Sequence, residues 1–159
     1  AYYWFWRNYM LVRELKLRPT KSQTAKLEEW LWCLTGVYNW ASRKIELDAK
    51  DKLYHSKFKL QNSLPNVSKK MGIPSHTIQA TILQVYNAWD RCFKKVSKQP
   101  KLKSVHNKLR SIYFPDLLNR SRIKGNRISL PGIKEIRFHK QELPEGTIKQ
   151  TRIVRRASG

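Results

Sequence analysis

Acidic residues are scarce in this sequence, with 11 Asp and Glu against 33 Lys and Arg in 159 residues, a formal net charge of +22. Cysteine is nearly absent. Cys33 and Cys92 provide no disulfide framework and cannot by themselves complete a structural zinc site, which points to an intracellular chain. No apolar run approaches the roughly 20 residues of a membrane span, which excludes an integral membrane protein of the helical kind. The four histidines, His55, His76, His106 and His139, are scattered and show none of the i,i+4 pairing of a zinc-binding helix. Of the aspartates, Asp48, Asp51, Asp90 and Asp116, none ends an apolar strand where a metal-binding carboxylate would project. Asp48 and Asp51, set among lysines, read as the solvated end of a helix. Glycine-rich phosphate loops and Ser-His-Asp arrangements are missing too. The sequence therefore assigns no catalytic residue and no metal ligand.

What is present is a foldable, strongly basic chain. Hydrophobic residues make up 40% of it, enough for a core, so a disordered basic tail is excluded. At +22 the folded chain repels itself, and a polyanion relieves that repulsion. Nucleic acid is the favoured partner, because each neutralised phosphate releases counterions. A membrane surface would ask for a basic amphipathic helix or a lipid signal, and neither is evident. The charge is uneven. Residues 1–93 carry 15 basic and 7 acidic groups, a net of +8, whereas residues 94–159 carry 18 and 4, a net of +14.

The first six residues hold five aromatics, Tyr2 to Trp6, with no basic region before them and no cleavage site after them. This is not a signal peptide. It reads as a strand or a tail pinned into a groove, with Met10 a candidate functional start. From Leu11 to Arg18 apolar and charged residues nearly alternate, predicting a half-buried strand that Pro19 ends. Thr20 and Gln23 form a capping box. The helix that follows carries Leu27, Trp30, Leu31, Leu34, Val37, Tyr38, Ala41 and Ile45 at spacings of three and four. A second helix is predicted from Ser75 to about Val96 on the stripe Ile78, Ile82, Val85, Trp89, Phe93 and Val96, with short helical pieces and turns over Tyr54–Met71. After Pro100 come short β-rich runs, Ser111–Phe114, Arg127–Leu130, Ile133–His139 and Ile148–Val154, separated by proline and glycine turns. The expected fold is therefore α+β, a small curled or barrel-like sheet interrupted by an inserted helical lobe.

Binding chemistry is concentrated in two basic clusters. Lys94, Lys95, Lys98, Lys101 and Lys103 form a strap around Pro100, and Arg120, Arg122, Lys124 and Arg127 form a second group between strands. Both suit backbone phosphates rather than base reading. Ser75 and Gln79, one turn apart at a helix start, are candidates to reach base edges. The competing reading makes Ser75 an N-cap and Gln79 a surface residue. Tyr54, followed by His55 and Lys57, is a candidate to stack or hydrogen-bond, against ordinary packing.

The order of these features resembles a known family. Leu15-Lys-Leu-Arg-Pro-Thr-Lys-Ser-Gln23 and then Val37-Tyr-Asn-Trp-Ala41 are similar to the opening of TnpB (OrfB) proteins. These are transposon-encoded RNA-guided nucleases related to compact type V CRISPR effectors. Ile78-Gln79 leading to Ala88-Trp-Asp-Arg-Cys-Phe93, Pro100-Lys-Leu-Lys103, Asn126-Arg-Ile-Ser-Leu-Pro131, and Pro144-Glu-Gly-Thr-Ile-Lys149 leading into Thr151-Arg-Ile-Val-Arg155 follow in the family's order, so that the resemblance covers about residues 11–157.

The resemblance implies a wedge (OB-like) β-barrel interrupted by a recognition lobe. Residues 1–19 would be an extension and the first barrel strand, 20–98 the helical recognition lobe, and 99–159 the remaining barrel strands. It implies guide RNA and double-stranded target DNA as partners, with base pairing choosing the sequence and the protein reading a short flanking motif. Tyr54 and Gln79 fall on base-contacting positions of the family, and Ser75 on a third where a family member has Lys. A further family contact falls around Pro115–Leu117. The family's RuvC carboxylates with their Mg ions, and its four-cysteine Zn motif, lie downstream of the strand ending near Arg156. No cofactor is thus expected in these residues, and the missing nuclease half becomes a further partner. The expected function is the nucleic-acid-binding module of an RNA-guided DNA endonuclease in the prokaryotic cytoplasm. The alternative is a generic basic RNA-binding protein without a guide.

Overall fold

The structure is a computed structural model that describes residues 2–7, 12–64, 72–104, 106–115, 123–139 and 150–156. It is α+β and divides into a strand unit, residues 1–31 with 110–159, and a helical unit, residues 32–109.

In the strand unit β1 (Tyr2–Arg7), β2 (Val12–Arg18), β3 (Ser111–Tyr113), β4 (Ile123–Lys124), β5 (Arg127–Leu130), β6 (Lys134–Phe138) and β7 (Gln150–Arg155) form one antiparallel sheet. The strand order is β3-β7-β1-β2-β6-β5-β4. The aromatic opening is therefore a strand, and a central one. It pairs through five residue pairs with β2 and six with β7. β2 changes partner along its length: Val12 to Lys16 face β1, and Leu17 and Arg18 face β6. A strand shared in this way lets a sheet curl, and the curl brings Trp4 of β1 within 5.3 Å of Phe138 of β6, two strands away. The sheet is open, with no pairing between β3 and β4 among the described residues.

Period-2 alternation sends one set of side chains inward. Ile112, Ile153, Trp4 and Leu15 lie in register across four neighbouring strands, and all are buried. Leu17 opposite Phe138, and Ile128 opposite Ile136, continue the core. Trp30 on the first helix closes it against Phe114, with ring centroids 6.5 Å apart. The β4–β5 hairpin turns on Gly125 and Asn126, with Gly125 at φ +60°, the value that the first position of a type II′ turn requires.

Helix α1 spans Lys21–Lys50 and passes from the strand unit into the helical unit. The expected capping box is formed: the Thr20 amide donates to Gln23 Oε1 at 3.0 Å, and the Gln23 amide to Thr20 Oγ1 at 3.2 Å. The Gln23 side-chain amide also donates to the Glu135 carbonyl at 2.6 Å, tying the helix start to β6. In the helical unit α1 is joined by α2 (Lys57–Asn62) and α3 (Ser75–Phe93). Trp89 Nε1 donates to Ser42 Oγ at 2.9 Å in the buried seam between α1 and α3.

Helix α3 ends at Phe93, three residues before the end of its predicted stripe. The Lys95 amide bonds to the Cys92 carbonyl and the Val96 amide to the Arg91 carbonyl, which throws Lys95 into the left-handed region at φ +61°. Phe93 and Val96, expected in the core, are consequently exposed. Helix α1 ends in the same way. Lys52 at φ +58° follows paired bonds from Lys52 to Ala49 and from Leu53 to Asp48.

Candidate nucleic-acid interface

Each unit is strongly basic by itself. The strand unit holds 18 basic and 7 acidic residues and the helical unit 15 and 4, a net of +11 in each. The charge is thus not a tail attached to a neutral fold.

In the helical unit Ser75 is the first residue of α3, and Pro74 is the cap residue in its place. The N-cap reading of Ser75 is corrected on this point. Pro74 carries no side-chain acceptor, and its carbonyl instead takes the amides of Thr77 and Ile78. Ser75 and Gln79 stand one turn apart on the same exposed face. The buried Thr77, Ile78, Thr81 and Ile82 point the other way. Gln61 of α2 donates to the Gln79 carbonyl at 3.1 Å, fixing the backbone of that turn and leaving the Gln79 side chain outward.

Tyr54 lies at the opposite end of α3. Its ring meets Phe93 edge-on at 5.4 Å, yet it remains 67% exposed. Both rings stand at the mouth of a cavity of about 150 Å³ floored by Trp89 and Leu60. Asp48 lies on its wall, paired with Lys44 at 3.4 Å and His55 at 3.1 Å; the ion pairing agrees with the sequence reading, but its Oδ2 is buried rather than solvated. Gln79 and Phe93 are 14 residues apart, about 21 Å of helix. The structure therefore brings Ser75 and Gln79 together and sets Tyr54 about four turns away.

The strap of lysines follows α3. Lys94 pairs with Asp90 at 3.0 Å, and that hydrogen bond raises its pKa. Lys95 holds the left-handed position, and Lys98 and Lys101 are exposed. Lys103 differs from these. Its amide and carbonyl are both held by the Asn39 side chain at 2.8 Å, and its ammonium sits 5.3 Å from the Tyr38 ring centroid. In the second cluster Lys124 and Arg127 are exposed and pair across the β4–β5 hairpin. Arg120 and Arg122 lie outside the described residues, as do Asp116 and Leu117, while Pro115 is an exposed turn residue.

The strand unit adds a group that patterning did not single out. Arg18 of β2 stands opposite Arg137 of β6, and Arg137 opposite Arg127 of β5. All three are exposed on the face opposite the core. Like charges directly across a sheet repel at Cβ separations of roughly 5 Å. Glu135 offsets this only at Arg127, at 3.6 Å, while Arg18 contacts the His139 ring. The same face carries Tyr113, Arg152 and Phe5 in one register row and Val154 and Tyr3 in the next. The Arg152 guanidinium lies 4.2 Å from the Phe5 ring centroid and 5.8 Å from that of Tyr113, and donates to the Tyr113 hydroxyl at 3.1 Å. Alternation alone places Arg18 and Arg137 on a polar face; that they stand side by side depends on strand order, which one sequence does not reveal.

Among the described residues no three His, Cys, Asp or Glu side chains converge to hold a metal ion, and no helix is long and apolar enough to cross a membrane. No protein-family model matches the chain, and no curated protein matches its sequence.

Proposed function

We propose that this chain is the nucleic-acid-binding part of an RNA-guided DNA endonuclease of the TnpB type. The helical unit acts as a recognition lobe that reads a short motif in duplex DNA. The strand unit acts as a small wedge-type, OB-like barrel that holds guide RNA. Lys94, Lys95, Lys98, Lys101, Lys103, Lys124 and Arg127, with Arg120 and Arg122, engage backbone phosphates. Cutting, with its Mg and Zn, belongs to a nuclease half outside these 159 residues, and the setting is the prokaryotic cytoplasm.

The observation that carries this reading is the exposed pair Ser75 and Gln79 at the start of α3, with Tyr54, from the loop before α2, packed against Phe93 at the far end of that helix, about 21 Å of helix from Gln79. That length corresponds to about six steps of B-form DNA at 3.4 Å each, so α3 laid along a groove, with the loop residue Tyr54 beside its far end, puts a base-reading side chain near each end of a short motif. Gln supplies the paired donor and acceptor that match adenine N6 and N7. A net charge of +11 on the same unit supplies the attraction that holds the helix there.

Two measurements test the reading. Binding of the full chain to duplexes carrying a randomised window of about eight bases will enrich one motif, and Gln79→Ala will relax it at one position by about 1–3 kcal/mol. An unenriched library, or an unchanged motif in the variant, overturns the base-reading role. RNA co-purifying with the chain will be one abundant structured species. A heterogeneous mixture of ribosomal and messenger fragments would instead support the generic RNA-binding alternative.

A further inference from the structure

We propose that the outer face of the seven-stranded sheet is a binding track for an unpaired stretch of RNA. The backbone crosses the ladder Arg18, Arg137 and Arg127, and the bases stack over the half of the face built from Phe5, Tyr113 and Arg152. This deepens the nucleic-acid reading above and rests on it.

Three observations meet on this face. The first is electrostatic: three arginines on adjacent strands, β2, β6 and β5, stand directly opposite one another. The only carboxylate paired with them among the described residues is Glu135. Arg137 at the centre has no ion-pair partner among the described residues. Such a row costs the fold repulsion and is relieved by a chain of phosphates spaced along it.

The second observation is the aromatic half. Arg152 lies close against Phe5, at 4.2 Å, and is anchored from the other side by Tyr113. The three side chains hold one another in place and are each half-exposed, and bases stack on such ring and guanidinium surfaces. Tyr3 extends the surface, with the Arg156 guanidinium 5.6 Å from its ring centroid. A positive track with interleaved stacking planes is the general solution for single strands; a duplex buries its base faces and has no use for it. The third observation favours RNA. Ser129 and Glu135, opposite each other on the same face, bring a hydroxyl and a carboxylate beside the arginine ladder, where a ribose 2′-hydroxyl finds both a donor and an acceptor.

The test uses the full chain and fluorescein-labelled oligo(U), oligo(dU) and an RNA duplex, each of about 12 nucleotides per strand, with Kd measured from about 50 to 300 mM salt. The wild type is expected to prefer oligo(U). The double variant Phe5→Leu/Tyr113→Leu keeps apolar cover without a stacking plane, and is expected to weaken oligo(U) binding by about five- to a hundredfold while duplex affinity holds. Arg137→Gln, at an exposed position that does not threaten folding, is expected to lower the slope of log Kd against log salt by about 0.7 for each phosphate no longer neutralised. Arg137→Lys should restore that slope. Wild-type oligo(U) affinity in both Phe5→Leu/Tyr113→Leu and Arg137→Gln overturns the track while leaving the duplex-reading proposal standing. Equal affinity of the wild type for oligo(dU) overturns the assignment to RNA. Failure of the wild type to bind any of the three probes at the lowest salt overturns the nucleic-acid reading itself.

Discussion

Replacing Trp4 with alanine will unfold the strand unit well below the wild-type temperature, because Trp4 stands where the sheet's two halves meet. Its side chain is fully buried. It lies in register between Leu15 on one side and Ile153 on the other, and contacts Phe138 across the intervening strand. Truncating a buried tryptophan costs about 3–5 kcal/mol. In a unit of about 80 residues each kcal/mol shifts Tm by about 4–8 °C, so a fall of about 12–40 °C is expected. Trp4→Phe will be much milder. The indole Nε1 of Trp4 is buried with no hydrogen-bond partner among the described residues, so removing it relieves a desolvation penalty of about 1–3 kcal/mol that offsets much of the reduced packing. The control is Trp32→Ala: Trp32 is 53% exposed, and its removal is expected to change stability by no more than about 0.5 kcal/mol. Calorimetry and near-ultraviolet circular dichroism on the three variants decide the matter. If Trp4→Ala melts within about 2–3 °C of Trp32→Ala, the aromatic opening is not the central strand and the sheet order described above fails.

Other perturbations follow from local geometry. Lys52→Gly and Lys95→Gly, each at a left-handed helix terminus, should stabilise the helical unit by about 1 kcal/mol apiece in urea titrations; a loss of stability would show that the lysine side chains matter more than their backbone strain. Gly36→Ala, in the interior of α1 with no atom of the described residues beyond its own helix backbone and chain neighbours within 4 Å of the added methyl, should also add about 1 kcal/mol, and a destabilised variant would refute the open space described there. The Tyr2 hydroxyl donates to the Glu28 carboxylate, and burial followed by that hydrogen bond raises its pKa above that of a free tyrosine. The folded state therefore keeps a proton that the unfolded state releases above about pH 10, and stability is present below that pH and lost as pH climbs toward the folded value. Between about pH 10 and 12 the wild type should lose up to about 1.4 kcal/mol per pH unit more than Tyr2→Phe; parallel pH profiles would refute the linkage.

The sequence carried the helices and most strands because their signals are local. The capping box at Thr20 and Gln23 is formed, and the α1 residues Leu27, Trp30, Leu31, Leu34, Val37, Tyr38 and Ala41 are buried. The fold class, α+β with a helical lobe inserted between the first strands and the later ones, was legible in the same way, although the sheet is open. The end of α3 was not legible, because a lysine supplies the left-handed residue where glycine would have signalled the stop. The two-residue β4 is too short for any period to register. The site divides similarly. Ser75 and Gln79 share a face because helical spacing dictates it, whereas the distance of Tyr54 from them depends on its tertiary contact with Phe93, 39 residues further along the chain. The arginine ladder and the Phe5–Arg152–Tyr113 row arise from pairing between strands as distant in sequence as β1 and β7, which no window along the chain contains.

The pairing of β1 with β7 also sets an order of events during synthesis. Tyr2 faces Arg155, so β1 is made well before β7 and must wait for it. The helical unit is a continuous stretch, residues 32–109, dominated by local contacts, and can be complete while β7 is still untranslated. At about 5–20 residues per second the wait for β7 is roughly 8–30 s. Throughout it, an aromatic-rich segment lacks the neighbour that later covers one of its edges. The nascent chain is thus exposed to misassembly at β1, and early contact with an RNA or a chaperone would fall on the surface where the two halves of the sheet later join.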